Sequence, residues 1–247
     1  MKDKILKLKN LLLETGLEQE PGSIIYSGDS TLKKGNFYFL GTNPGGNRLD
    51  YNDTILNQVM LSNEKNEYID GNWGNREHQE TIKSAFIELG INLKETFSTN
   101  TSFIRSPGEQ KYPPRNPINK EDLKSAAKAK KQLKKDGRET FWPIQEYFLS
   151  IVKPRLIIAN GSIARDLFWY KMMGIEFKDK KIEPKNKFVY SNSANKFCYY
   201  FNGDLSTENL FIPNLRVLSL PHLSFQDYSF HKSGIQWAKE KLSLFNY

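Results

Sequence analysis

Three loops of this chain carry the residue types that could do chemistry: Gly41-Thr-Asn-Pro-Gly-Gly46, Ser98-Thr-Asn-Thr-Ser102 and Pro221-His-Leu-Ser-Phe225. Asn43 and Asn100 each offer an amide donor and acceptor but cannot take a proton at neutral pH, and His222 offers an imidazole that donates, accepts or titrates. The glycines leave backbone amides open to a ligand. Together these residues predict a polar pocket, provided the three loops meet.

They meet if each loop follows a strand of one parallel sheet, because the carboxyl ends of such strands share an edge. Asn36-Phe-Tyr-Phe-Leu-Gly41 reads as a short buried strand, Thr96 to Ser106 as a second strand-to-loop unit, and Leu215-Arg-Val-Leu-Ser-Leu220 as a strand leading into Pro221. Leu156-Ile-Ile-Ala-Asn160 is a further apolar run. Helical spacing occurs in Met1–Leu17, where Gly16 is the stop, between Glu80 and Gly90, in Trp142–Val152, in Gly161–Tyr170 and in Ser233–Leu244. The alternation predicts an α/β fold of three layers, α/β/α, around a central, mostly parallel sheet. From about Lys171 to Leu210 the rhythm breaks, and Phe188–Tyr190 with Phe197–Phe201 predicts a small inserted hairpin. We expect one domain over residues 1–247, with insertions near 107–138 and 171–210.

The chain carries 36 Lys+Arg against 28 Asp+Glu, a formal charge of +8, which favours a polyanionic partner. Its most basic stretch, Lys120–Arg138, reads either as a phosphate-contacting surface or as a solvated helix. A single cysteine, Cys198, excludes a disulfide framework and any cluster built from several thiolates. The three histidines, His78, His222 and His231, show no metal-ligand spacing, so no metal and no cofactor are expected. Neither a leader nor a membrane-spanning run is evident, and a cytoplasmic monomer is the expectation. The first loop lacks the Gly-x-Gly-x-x-Gly spacing of a dinucleotide site.

In this order the loops resemble the motifs of the uracil-DNA glycosylase superfamily, whose first motif has the form Gly-x-(Asp/Asn)-Pro-Gly/Tyr and whose last contains His-x-Ser. The matching residues are Gly41-Thr42-Asn43-Pro44-Gly45 and His222-Leu223-Ser224, with Thr99-Asn100 at the Asn-bearing strand end and Lys153-Pro-Arg-Leu-Ile-Ile-Ala-Asn-Gly-Ser162 resembling a Lys-Pro-x-Leu-Ile strand unit. Asn in the first motif with His in the last looks most like the single-strand-selective monofunctional branch. The solitary cysteine is incompatible with the iron–sulfur branch.

The resemblance implies a DNA glycosylase that flips a uracil or modified pyrimidine out of the stack and hydrolyses its N-glycosidic bond. It implies that Asn43 orients water and that His222 donates to the base O2, with Gly41, Thr42, Pro44 and Gly45 lining the base site. Asn100 would read the base edge, and Tyr51, or else Trp73, would stack on it. Leu223, Ser224 and Phe225, with Tyr228 beyond them, would meet DNA where a side chain wedges into the stack. Lys128, Lys131 and Lys135 would contact phosphates of single- or double-stranded DNA. Two rivals share the fold: a defence glycosylase acting on hypermodified viral bases, and a DNA-binding module without turnover.

Overall fold

The computed structural model describes residues 2–45, 54–60, 65–70, 76–106, 120–177, 189–192, 195–223 and 228–243. Within them six strands form one sheet in the order β2-β1-β3-β6-β5-β4. The strands are β1 (Phe37–Gly41), β2 (Phe97–Asn100), β3 (Leu156–Asn160), β4 (Val189–Asn192), β5 (Asn195–Ser206) and β6 (Phe211–Leu220). β2, β1, β3 and β6 pair in parallel; β5 is antiparallel to both β6 and β4, so it alone runs against the other strands.

The parallel strands are short apolar runs because both of their faces are covered. Alternation along each strand sends Tyr38, Leu40, Ile157, Ala159 and Val217 to one face, where they pack with α1 (Lys2–Leu13), α5 (Trp142–Val152) and α6 (Ser162–Met173). Phe39, Ile158, Leu218 and Leu220 point to the other face, against α3 (Arg76–Leu89) and α7 (Tyr228–Ser243). The expected three-layer α/β/α arrangement is therefore present. Two further helices are α2 (Ile55–Met60), which the sequence pattern did not suggest, and α4 (Lys120–Arg138).

β1 lies between β2 and β3, so the chain steps one way from β1 to β2 and back across β1 to reach β3. Right-handed crossovers in opposite directions put their helices on opposite faces, which accounts for α3 on one side and α5 on the other. A reversal of this kind opens a crevice outside the carboxyl ends of the strands at the switch.

The hairpin expected near 188–201 is present but is not an appendage. β5 continues to Ser206 and pairs along most of β6, which begins at Phe211 rather than Leu215, so the insertion widens the central sheet. None of the described helices is long and apolar enough to cross a membrane.

Candidate active site

The register places Gly41 opposite Asn100, Leu40 opposite Ala159 and Asn160 opposite Leu220, so the carboxyl ends of β2, β1, β3 and β6 form one ledge. Neighbouring strands are roughly 4.8 Å apart. On this ledge the Asn100 side chain crosses its neighbour: a β-carbon on Gly41 would stand 2.1 Å from Asn100 Oδ1. A larger residue at 41 therefore has room only if the Asn100 amide moves.

Asn100 is held by its backbone and left open at its amide. Gln145 Nε2 donates to the Asn100 carbonyl at 2.7 Å, and the Tyr38 hydroxyl donates to Gln145 Oε1 at 2.5 Å. The next residue, Thr101, donates to the Gly41 carbonyl from N at 2.9 Å and from Oγ1 at 3.0 Å. Asn100 as a whole is 3% exposed, and its side chain carries no hydrogen bond among the described residues. A buried amide without a partner is a strong candidate for a ligand contact, because most buried polar groups are paired.

The first loop is laced to the chain after β2. Ser102 N donates to the Thr42 carbonyl and Ser106 N to the Pro44 carbonyl, each at 2.9 Å, and Arg105 Nη1 donates to the Gly45 carbonyl at 2.5 Å. Thr42 and Pro44 are buried, whereas Gly45 is exposed. Asn43 Nδ2 donates to the Pro44 carbonyl at 2.9 Å and to Ser106 Oγ at 2.7 Å. Both amide hydrogens are thus used, and Oδ1, with no hydrogen bond among the described residues, is the atom left to face a ligand.

His222 is seated on the end of β3. Gly161 has φ 95°, a left-handed conformation, and a β-carbon there would lie 3.0 Å from His222 Cδ2. Gly161 N donates to the Leu220 carbonyl at 3.0 Å, and Leu223 N donates to Asn160 Oδ1 at 2.8 Å. His78, in the first turn of α3, stacks on the ring at 5.7 Å between centroids and 26° between planes. Burial first, then the charges of His222 and His231, push the His78 imidazole down to about 3. All three histidines of the chain therefore share one corner, although their spacing in sequence suggested no grouping. Among the described residues no set of His, Cys, Asp or Glu has the arrangement to hold a metal.

One expectation is corrected here. Leu223 is fully buried in the core formed with α3 and α7, so it cannot enter a DNA stack. Its main-chain anchor on Asn160 turns the side chain into the core, which motif spacing could not reveal. Tyr51, Trp73, Ser224 and Phe225 lie outside the described residues, as do the side chains of Lys128 and Tyr228.

α4 forms a wall of the ledge. A β-carbon on Gly137 would be 2.5 Å from Thr101 Cγ2, just past β2, and Lys130 Nζ contacts Ser162 Oγ at 3.2 Å, just past β3. Lys134 is paired with Asp166 at 2.5 Å and Arg138 with Glu176, so these two cations already have carboxylate partners. Lys131 and Lys135 are exposed, the latter 3.9 Å from Glu139.

Sequence reasoning did not single out Glu67, whose main chain is tied to Gln79 on α3 and to the Tyr26 segment. Its carbonyl accepts from Gln79 Nε2, beside His78, at 3.2 Å, and its amide donates to the Tyr26 carbonyl at 2.8 Å. Burial, opposed by nearby Arg105, raises its carboxyl to about 8. It lies in a stretch with no motif around it, so only the tertiary fold reveals it. In comparisons with known proteins, no protein-family model matches this chain and no curated protein is significantly similar to it.

Proposed function

We propose that the protein is a DNA glycosylase that hydrolyses the N-glycosidic bond of a flipped-out uracil or modified pyrimidine and leaves an abasic site. The observation that carries this reading is the unpartnered Asn100 amide, buried over Gly41 on the ledge that also bears the Asn43 loop and, across β3, His222. That juxtaposition is the one expected if the motif resemblance reflects shared chemistry.

In this mechanism Asn100 reads the base edge, since one amide can donate and accept toward a pyrimidine at once. Extrusion of the nucleotide costs a few kcal/mol, so the pocket must return that energy in contacts with the base. As the C1′–N bond breaks, negative charge grows on the base and positive charge on the sugar. A donor such as the His222 imidazole, held in place by Gly161 and His78, acts mainly on charge that exists late in the reaction. Asn43 orients water through Oδ1 while its nitrogen is tied to Pro44 and Ser106. Lys131 and Lys135, exposed on the wall helix, contact phosphates and make binding salt-dependent.

The test is abasic-site formation by the purified protein on oligonucleotides bearing uracil, in single strands and opposite A or G, and on a modified-cytosine duplex. Product formation lost in both Asn43→Ala and His222→Ala is the expected result. DNA retention with no product at stoichiometric enzyme would instead favour a binding module. The wall that α4 adds beside Thr101 and Ser162 supports a second reading, a pocket for a larger modified pyrimidine in a defence enzyme. Activity on uracil alone would remove it.

A further inference from the structure

We propose that Gln145 is a positioning residue for base recognition: from inside the core it fixes the peptide group that aims the Asn100 amide across Gly41. The inference rests on the glycosylase reading above.

The first support is where Gln145 sits. α5 buries Trp142, Ile144, Phe148, Leu149 and Val152, and with them Gln145, which is 0% exposed. A side-chain amide loses its hydration there and recovers it only through hydrogen bonds, so an apolar residue would fill the position at less cost. A polar group kept in such a core points to a use for its bonds.

The second support is what those bonds hold. Nε2 donates to the Asn100 carbonyl at 2.7 Å, and Oε1 accepts from the Tyr38 hydroxyl at 2.5 Å. A carbonyl only accepts, so the Asn100 bond sets which end of the Gln145 amide faces β2. Burial pushes the Tyr38 hydroxyl well above its ordinary range, so it keeps its proton and donates it to the other end. The peptide group that Gln145 touches is held again at its nitrogen, where Thr101 N donates to the Gly41 carbonyl at 2.9 Å. The Asn100–Thr101 peptide is thus pinned at its oxygen by α5 and at its nitrogen by β1. Rotation of the Asn100 main chain at this peptide would break both bonds.

The third support is what is left free. The Asn100 side chain has no hydrogen bond among the described residues, so its direction follows from its main chain and from the space over Gly41 that Oδ1 occupies. An amide that reads a base edge needs placement to within roughly 0.5 Å. Holding it through the main chain achieves this and leaves both of its polar atoms for the base.

The experiment is a double-mutant cycle on the full-length protein. Gln145→Met, which removes both bonds at similar side-chain length, is made in the wild-type and Asn100→Ala backgrounds, and kcat/KM for abasic-site formation is measured beside thermal melts. We expect a loss of roughly 30-fold in the wild-type background and of less than about 3-fold where Asn100 is already alanine. Tyr38→Phe removes one oxygen, keeps the ring that packs on Phe97 and should show a smaller loss with the same dependence on Asn100. It carries the comparison if Gln145→Met does not fold. Equal losses in the two backgrounds, or wild-type activity in the variants, overturn this inference and leave the glycosylase reading standing. No abasic product from the wild type on any substrate overturns that reading and the role of Gln145 together.

Discussion

The Asn100 side-chain oxygen lies 2.1 Å from where a β-carbon on Gly41 would be, so two residues 59 positions apart share a single volume on adjacent strands. Adding a methyl group at 41 must move the amide that we assign to base recognition. Gly41→Ala should lower kcat/KM by at least about 100-fold and destabilise the protein by about 1–3 kcal/mol through overpacking. Steady-state kinetics beside urea melts separate the two effects; wild-type activity in Gly41→Ala would show that Asn100 has no role in recognition.

Gly161 plays the corresponding part under His222. Alanine there meets both a strained φ of 95° and an imidazole carbon at 3.0 Å. We expect Gly161→Ala to lose about 1–2 kcal/mol of stability and to reduce activity nearly as far as His222→Ala, roughly 100- to 1,000-fold. The double substitution should be no slower than either single one, and additive losses would contradict the shared seat.

His78 should make the fold acid-sensitive. Its folded value near 3 lies below the ordinary 6.5, so the unfolded chain binds more protons between those pH values. The associated stability is fully present above about pH 6.5 and is lost as pH falls toward 3. After discounting for its partial solvent contact, we expect a loss of about 1–2 kcal/mol between pH 6.5 and 4.5, and His78→Gln should flatten that slope in urea titrations. An unchanged slope would mean the ring is not buried in solution.

Glu67 should act in the opposite sense. Its value is raised from 4.5 to about 8, so the folded protein binds the extra proton between those limits. Stability is highest below about 4.5 and declines as pH rises through 8, by an amount on the order of 2–4 kcal/mol. Glu67→Gln should then be more stable than wild type at pH 9 and nearly equal at pH 4.5, which thermal melts at the two pH values would reveal.

On α4 the exposed lysines should behave differently from the one paired with a buried carboxylate. Lys131→Glu with Lys135→Glu should weaken DNA binding evenly across sequences, with a shallower dependence on salt, and leave the melting temperature near wild type. Lys134→Ala should instead destabilise the fold by about 1–2 kcal/mol, because it removes a cation held 2.5 Å from the buried Asp166. Unchanged affinity and salt slope in the Lys131/Lys135 variant would exclude this helix from the DNA surface.

The layer arrangement was legible in the chain because buried parallel strands leave a local mark. Runs such as Phe37–Leu40 and Leu156–Ala159 are apolar without interruption, and glycine closes several of the elements between them. The alignment of Asn43, Asn100 and His222 at strand ends followed from the same logic, since parallel strands must present their carboxyl ends together. Contacts between distant side chains leave no such mark. Only the tertiary structure decided that Leu223 faces the core, that His78 stacks on His222, that Lys134 is neutralised while Lys131 is not, and that the Glu67 main chain is tied to Gln79 on α3. Each depends on which neighbour a turn or helix face meets after the sheet has assembled, and residue type and spacing along one chain do not encode that meeting.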